Sequence, residues 1–405
     1  MHDLPAEIDA DANALATRLA PAADGAAGRG PSASRISRAD VAGLSVALTG
    51  GVFLAAALVL FQGSRGAAYD FVAYLDAARR LAAGLPLYQA VTQQGPFSPG
   101  PHDLYLYPPP LAVLLLPLTT LATPAATAVW QGLHVVALVL ACAVLPVSRW
   151  IRLSVFGIAC LSLPTLLDLN LGNVSLFVLL GVAAGWRWTA ALSRGESGAG
   201  GPPGAGLLAA VSVAVRPQIA IVLPWWAWRG TPASRRALLS AVGAGIVLVA
   251  LSAAVAGLSS WGEYVRLLLN LRSAGPGSSD IGIAAIATQA GVPAPVPMLL
   301  YAAGAALALL ALVIASRRDQ ETGFVALSPA TLLVVPLLWP HYLVLLVLPA
   351  ALLAARGHWW ALALPLLAWL PGALLAPLAL VACWLPVLAI RTTPSRAEPA
   401  PISLR

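Results

Sequence analysis

Long apolar runs separated by short polar breaks dominate this chain of 405 residues. Hydrophobic residues make up 59% of the chain and charged residues 10%, whereas about a quarter of the residues in soluble domains are charged. A helix needs roughly 20 apolar residues to cross a bilayer. The pattern therefore predicts an all-α polytopic membrane protein with about 11–13 transmembrane helices. The apolar runs lie at 41–62, 124–147, 153–168, 174–190, 204–215, 218–229, 237–258, 295–316, 323–339, 342–355, 358–373 and 375–390.

The distribution of the 23 basic residues, all arginine, predicts the orientation of these helices. Positive residues are enriched in cytoplasmic loops. With the N-terminal tail in the cytoplasm, 17 arginines lie inside and six lie outside, namely Arg65, Arg79, Arg80, Arg216, Arg266 and Arg272. We therefore expect a multi-pass protein of the plasma (inner) membrane with both termini cytoplasmic. The net charge of +7 follows from topology and does not indicate a nucleic-acid partner.

Composition divides the chain into three parts. Residues 1–40 are polar and rich in Ala, Gly, Pro and Ser, which predicts a disordered cytoplasmic tail. Residues 41–391 form the membrane domain, with a first extracytoplasmic loop at 63–106 that is expected to contain a helix. Residues 392–405 form a second cytoplasmic tail.

The apolar segment 107–122 is ambiguous. If it crossed the membrane, every later helix would be inverted and most arginines would lie outside, against the positive-inside rule. We therefore favour a half-inserted or interfacial helix that starts at Pro108–Pro110 and breaks at Pro117.

With this topology, the unusual polar residues collect on the outer side. They are the first loop, the segment Asp168–Asn173, Arg216-Pro217-Gln218, the loop 259–294 with Gln289, and Trp339-Pro340-His341-Tyr342. Only a few of these residues are arginines, so their grouping is largely independent of the arginine count that set the topology. Their convergence therefore predicts one extracytoplasmic site.

Asp70 stands just after the first span, among the aromatic residues Tyr69, Phe71 and Tyr74. A partly desolvated carboxylate has a raised pKa and is a stronger base. The alternative is that Asp70 caps the helix predicted from about residue 71 to 83. Both roles are compatible with the sequence.

Three further charges follow Asp70, and they have a simpler interpretation. Arg79 and Arg80 come three and four residues after Asp76, within reach of an ion pair. We interpret them as the solvated charges of an amphipathic helix at the interface.

Arg216 lies between two apolar stretches and is followed by Pro217, which breaks a helix. An arginine at membrane depth is kept near a cavity or a partner, and its planar fork suits a phosphate or carboxylate. The alternatives are snorkelling to the interface and pairing with Asp168.

His341 and Asn173 each have a structural alternative to a role in binding. A histidine between helices is often simply hydrogen-bonded, and Asn173 could bind sugar hydroxyls or cap the next helix. Trp130 and His134 are interpreted as residues of helix packing or of an interfacial belt. No histidine, cysteine or acidic cluster has metal-ligand spacing, and the three cysteines are interpreted as core residues.

The chain lacks a phosphate-cradling glycine loop, a Walker lysine and a nucleophile elbow. An outer site without such machinery suits a donor that arrives in the membrane as a lipid-linked sugar. One carboxylate suffices there, because phosphate is a good leaving group.

An ordered set of motifs resembles the integral-membrane glycosyltransferases of the GT-C superfamily. The set comprises Asp70, Leu81-Ala82-Ala83-Gly84-Leu85-Pro86-Leu87-Tyr88, Tyr107-Pro108-Pro109, Gly172-Asn173, Arg216-Pro217 and Trp339-Pro340-His341-Tyr342. The chain is most similar to glycosyltransferase family 87, the polyprenyl-phosphate-mannose-dependent mannosyltransferases that include enzymes of phosphatidylinositol mannoside synthesis.

The resemblance implies an inverting transfer from a polyprenyl-phosphate-sugar donor, with neither metal nor other cofactor. It implies that Asp70 is the catalytic base and that Arg216 and His341 lie near the donor phosphate. It also implies that sugar or acceptor sites are lined by Tyr107, Asn173, Gln289 and Tyr342.

The sequence thus predicts a glycosyltransferase that moves a hexose, expected to be mannose, to a glycolipid acceptor among the membrane lipids of the outer face. The rival is a lipid or small-solute transporter, which predicts charged residues deep in the spans and internal repeat symmetry.

Overall fold

A computed structural model describes residues 37–61, 67–97, 104–193, 204–271, 280–335, 337–369, 381–385 and 387–388. Nearly all described residues belong to one compact unit within Ala39–Arg405. The predicted tail 392–405, most of the tail 1–40 and most of the apolar run 375–390 lie outside the described residues.

Helices account for the secondary structure of the described residues, where the sole β-type contact is a parallel bridge between Phe97 and Leu271. The all-α class predicted from the sequence is confirmed. The α-helices in chain order are α1 (Arg38–Phe61), α2 (Tyr69–Ala82), α3 (Pro109–Leu115), α4 (Thr123–Ala143), α5 (Arg149–Leu161), α6 (Leu163–Leu171), α7 (Ser175–Ser193), α8 (Gly204–Val215), α9 (Val222–Arg229), α10 (Pro232–Ala256), α11 (Ser259–Asn270), α12 (Ile283–Gln289), α13 (Val296–Ser316), α14 (Gln320–Leu333) and α15 (Val347–Ala355). The 3₁₀ helices are Ala90–Thr92, Leu116–Thr120, Pro217–Ile221, Pro340–Leu346 and Trp359–Trp369.

Four helices of the described residues, α1, α4, α10 and α13, are long and apolar enough to cross a membrane. A fifth span is formed if α5 and α6, which meet at an angle of 61°, are counted as one broken helix. The predicted apolar runs outnumber these helices because proline breaks several runs into shorter pieces. Pro164 follows the break between α5 and α6, while Pro217 and Pro340 begin 3₁₀ helices.

The segment 107–122 folds as a short helix with the predicted start and break. Pro108 precedes the first turn of α3, the α-helix ends at Leu115, and a 3₁₀ helix that contains Pro117 continues to Thr120. The helical stretch Pro109–Thr120 is shorter than the other candidate spans and falls short of the roughly 20 residues that a crossing requires.

Glycines allow α1 to pack directly against α5. A side chain at Gly50 or at Gly157 would collide with the backbone of the other helix. A side chain at Gly43 would meet the carbonyl oxygen of Trp150 at 2.7 Å. Small residues at such crossings let membrane helices approach closely, so that van der Waals contacts hold them together.

An aromatic core beside α2 forms the scaffold of the candidate site. It contains Phe71, Tyr74, Tyr88, Tyr105, Tyr107, Trp130 and Tyr264. The Tyr88 hydroxyl donates to the Tyr107 carbonyl at 2.8 Å, and the Tyr105 hydroxyl donates to the Pro108 carbonyl at 2.6 Å. The first bond ties residue 107 to the segment that follows α2, and the second lies within residues 105–108.

The charged residues that follow Asp70 in α2 make contacts that stabilise the fold. Arg79 pairs with Asp76 at 3.3 Å and donates to the hydroxyl of Thr123 and the carbonyl of Leu121. Arg80 donates to the carbonyl of Leu87 at 2.9 Å. The two arginines thus tie α2 to the start of α4 and to the loop that follows α2.

Candidate functional site

Asp70 lies in the first turn of α2 and accepts a hydrogen bond from a distant residue. The N-cap position of α2 is Ala68, which makes no side-chain capping bond. The Asp70 carboxylate instead accepts from Nδ2 of Asn173 at 2.7 Å. The described contacts of Asp70 therefore do not include the local helix capping that was the alternative to a catalytic role.

The start of α2 is held against the end of α6. Ala68 adopts the left-handed conformation with φ of 57°, and its N–H donates to the carbonyl of Asn170 at 2.6 Å. Gly172 has φ of 69°, and a Cβ atom there would lie 2.7 Å from Cβ of Phe71. Only glycine fits this turn without strain, so the turn brings Asn173 directly beside Asp70.

Asn173 is the centre of the polar cluster. Its buried amide nitrogen lies within hydrogen-bonding distance of Asp70, of the Tyr74 hydroxyl at 3.0 Å and of the Tyr107 hydroxyl at 3.2 Å. Its amide oxygen accepts from Nη2 of Arg216 at 2.5 Å and from the Ser175 hydroxyl at 3.2 Å. One amide group therefore connects an acid on one side to a cation on the other.

Asp168 caps helix α7. The Asp168 carboxylate accepts from the backbone N–H groups of Ser175 at 3.1 Å and Leu176 at 3.0 Å. A carboxylate is favoured at the N-terminus of a helix, where N–H groups lack partners. The Asn173 amide oxygen accepts from the Val174 N–H at 2.8 Å just before α7, so the expected local structural role accompanies its contacts within the cluster.

Trp130 and His134 on α4 hold the backbone of the same turn. Nε1 of Trp130 donates to the Gly172 carbonyl at 2.8 Å. The His134 ring lies against the carbonyl of Trp130 at 2.8 Å and against the carbonyl of Asn173. Their interpretation as packing residues is incomplete, because their polar atoms also position the Gly172-Asn173 turn.

Arg216 lies in the break between α8 and the 3₁₀ helix Pro217–Ile221 and is 2% exposed. Its Nη2 also donates to the Ser175 hydroxyl at 2.9 Å, and its guanidinium stacks 3.6 Å from the ring centroid of Tyr342. The Asp168 carboxylate is not among its hydrogen-bond partners in the described residues. Nε and Nη1 are buried and have no hydrogen-bond partner among the described residues.

His341 and Tyr342 lie in the first turn of the 3₁₀ helix Pro340–Leu346. The His341 ring packs edge-on to Tyr342, with centroids 4.8 Å apart, and stacks on Trp339 at 6.0 Å. Its Nε2 is buried and lacks a partner among the described residues. His341 therefore lies next to Tyr342, whose ring stacks against the Arg216 guanidinium.

A cavity of about 400 Å³ lies beside this cluster. Its polar lining residues are Tyr107, Arg216, Gln218, Tyr264, Trp339 and Tyr342. Buried cations that face a cavity are suited to bind an anion there. No group of three His, Cys, Asp or Glu side chains among the described residues is placed to hold a metal ion.

Burial raises the pKa of Asp70 to about 6, and the hydrogen bond from Asn173 partly opposes this effect. A carboxylate with this pKa is mostly ionised at neutral pH, yet it is a better proton acceptor than an ordinary aspartate.

The comparison with protein families identifies the chain. The family model of glycosyltransferase family 87 matches residues 105–349, which is more than half of the chain. The chain belongs to glycosyltransferase family 87. No curated protein and no solved structure matches it.

A glycosyltransferase of family 87 requires a sugar donor and an acceptor. The matched segment contains the buried polar cluster around Asn173 and Arg216, together with Tyr107, His341 and Tyr342. Asp70 precedes the matched segment. Its place beside the cluster therefore comes from the fold and not from the family comparison.

Four predicted site residues do not line the cavity themselves, namely Asp70, Asn173, Gln289 and His341. Asn173 and His341 contact the lining residues Tyr107 and Tyr342. Gln289 instead ends α12 and donates from Nε2 to the main-chain carbonyl of Asp280 at 3.1 Å. The prediction missed Ser175 as a partner of Arg216. Its position two residues after Asn173 was the available signal.

Proposed function

We propose that this family 87 glycosyltransferase transfers mannose from a polyprenyl-phosphate donor to a glycolipid acceptor, with inversion, at the extracytoplasmic face of the plasma membrane. Asp70 is the general base, Arg216 and His341 lie at the donor phosphate, and Tyr107, Asn173 and Tyr342 contact the sugar or the acceptor.

The observation that carries this proposal is the bridge Asp70–Asn173–Arg216. The Asn173 amide joins the two charged groups through bonds of 2.7 Å and 2.5 Å. Transfer from a sugar phosphate needs an acceptor of the hydroxyl proton and a cation for the departing phosphate. The bridge supplies both at one site.

The reaction is a single displacement. The acceptor hydroxyl oxygen attacks the anomeric carbon while its proton passes to the Asp70 carboxylate. The bond from the anomeric carbon to the phosphate oxygen breaks, and its electron pair stays on the phosphate. Attack opposite to the leaving group inverts the anomeric centre. The added phosphate charge develops next to Arg216.

The unused donors of Arg216 support its assignment to the phosphate. Nε and Nη1 have no partner among the described residues, and burial without a partner is costly for a charged group. A phosphate that accepted both hydrogen bonds would remove this cost. Arginine provides such paired bonds with a fixed geometry.

An apolar cavity supports a donor that is bound to a lipid. It measures about 190 Å³ and shares Val215 with the polar cavity. Leu111, Trp130 and Phe177 contribute to its lining. A prenyl chain could pack there while its phosphate reaches Arg216, which follows Val215 directly in the chain.

The experiment compares Asp70→Asn with Asp76→Asn in membranes supplied with labelled polyprenyl-phosphate-mannose. The control makes the same chemical change in the same helix, at an aspartate whose side chain is 46% exposed. We expect Asp70→Asn to lower the rate of labelled glycolipid formation by at least about 10²-fold. Asp76→Asn should stay within about twofold of the wild type, because exposed ion pairs contribute little.

Two results would contradict the proposal. Wild-type rates from Asp70→Asn at equal protein levels would remove Asp70 as the base. Movement of a solute across sealed vesicles by the wild type, without any new glycosidic bond, would support the transporter instead.

A further inference from the structure

Asp280 joins two distant parts of the chain outside the polar cluster. Its Oδ1 accepts from the backbone N–H of Leu338 at 3.0 Å and from the N–H of Gly282 at 2.9 Å. The N–H of Ile281 donates to the Leu338 carbonyl at 2.7 Å. Asp280 and Ile281 therefore form hydrogen bonds with both the N–H and the carbonyl of Leu338.

The bond from Gln289 braces this junction from the other side. Gln289 ends α12, and its side chain donates to the main-chain carbonyl of Asp280 at 3.1 Å. Asp280 itself is 2% exposed. Because a buried acceptor is costly to remove from its donors, the junction has a defined geometry.

The residues that follow Leu338 form one wall of the polar cavity. Trp339 and Tyr342 both line it, and the Tyr342 ring lies 3.6 Å from the Arg216 guanidinium. Pro340 has no N–H group, so it cannot help to anchor this stretch by a main-chain donor. The anchored residue that precedes it is Leu338, two positions earlier.

We propose that Asp280 is a positioning residue for donor binding, which acts by fixing Leu338 and thereby the wall formed by Trp339 and Tyr342. This inference rests on the proposed function, in which Arg216 and its neighbours bind the donor phosphate. It also gives Gln289 a role as the brace of Asp280, in place of the expected contact with substrate.

The first measurement is a kinetic comparison of Asp280→Ala and Asp280→Asn. Asp280→Ala removes the carboxylate that accepts the two N–H bonds. This loss should raise the KM for polyprenyl-phosphate-mannose by about tenfold, since small displacements of binding groups have large effects. The KM for the acceptor should change much less. Asp280→Asn should restore the donor KM, because its amide oxygen can accept the same two N–H bonds.

The second measurement is hydrogen–deuterium exchange of the purified protein without substrates. The peptide that contains residues 337–346 should exchange faster in Asp280→Ala than in the wild type, and Asp280→Asn should restore protection. Asp319→Ala is the matched control, because Asp319 caps α14 by accepting from the Thr322 N–H at 3.0 Å. It should leave the donor KM and the 337–346 peptide unchanged.

The outcomes separate this inference from the proposed function. Unchanged exchange in Asp280→Ala, an Asp280→Asn variant as impaired as Asp280→Ala, or equal effects on both KM values would each overturn the positioning role. A wild-type protein that transfers no sugar from polyprenyl phosphate would refute the proposed function, while the exchange comparison would still decide whether Asp280 fixes the wall.

Discussion

The pH dependence of the reaction tests the assignment of Asp70 most directly. Burial raises the pKa of Asp70 to about 6. A general base must be ionised, so kcat/KM should be constant above this pH and should fall about tenfold per pH unit well below it. The midpoint of the decline should lie near pH 6, well above the range of an ordinary aspartate.

Substitution of Asn173 by alanine should shift this midpoint in a known direction. The hydrogen bond from Nδ2 of Asn173 to Asp70 measures 2.7 Å and favours the ionised carboxylate. A hydrogen bond to a charged group contributes about 1.5 kcal/mol or more, and about 1.4 kcal/mol corresponds to one pKa unit. The midpoint in Asn173→Ala should therefore rise by about one pH unit.

The assay is the initial rate of labelled glycolipid formation at low donor concentration between pH 4.5 and 8.5, where kcat/KM reports the free enzyme. Ser175→Ala is the matched control. Ser175 donates to the other end of the Asn173 amide at 3.2 Å, so its loss should lower the plateau but leave the midpoint in place. An Asn173→Ala midpoint at or below that of the wild type would refute this account of Asp70.

Two further predictions concern stability and charge geometry. Because the folded protein holds the Asp70 proton more tightly than the unfolded chain, thermal stability should rise as pH falls from 7 towards 5. In a thermal-shift assay at pH 7, Asp70→Asn should unfold about 1–2 °C higher than the wild type. A lower unfolding temperature than that of the wild type would contradict the inference that the ionised Asp70 carboxylate destabilises the folded protein. Arg216→Lys retains the charge but loses the planar fork, so the donor KM should rise by about tenfold, and a KM equal to that of the wild type would remove paired bonding to phosphate.

Much of the candidate site was predictable because polar residues in a membrane chain are few and costly. Asp70, Asn173 and Arg216 each interrupt or flank an apolar run, and the structure brings their side chains into one cluster. The helical class was predictable for the same reason, since apolar runs without polar alternation fold as helices in lipid.

Local sequence patterns could not predict the contacts that depend on how helices dock. Asp280 and Leu338 are 58 residues apart in the chain, and no period or motif relates them. Gln289 is a second example. Its position in the loop 259–294 predicts a place at the outer site, whereas the docking of the short helix α12 directs its described hydrogen bond to the main chain of Asp280.

The position of a neutral amide between Asp70 and Arg216 explains how the acid can still accept a proton while the arginine can still bind an anion. A direct ion pair would strongly lower the pKa of the acid and would occupy the arginine fork. Asn173 donates to the carboxylate with one end of its amide and accepts from Nη2 with the other. The acid therefore keeps a pKa of about 6, and the Arg216 nitrogens Nε and Nη1, which have no partner among the described residues, stay open to an anion. In the proposed reaction, the same amide separates the proton acceptor Asp70 from the phosphate site at Arg216.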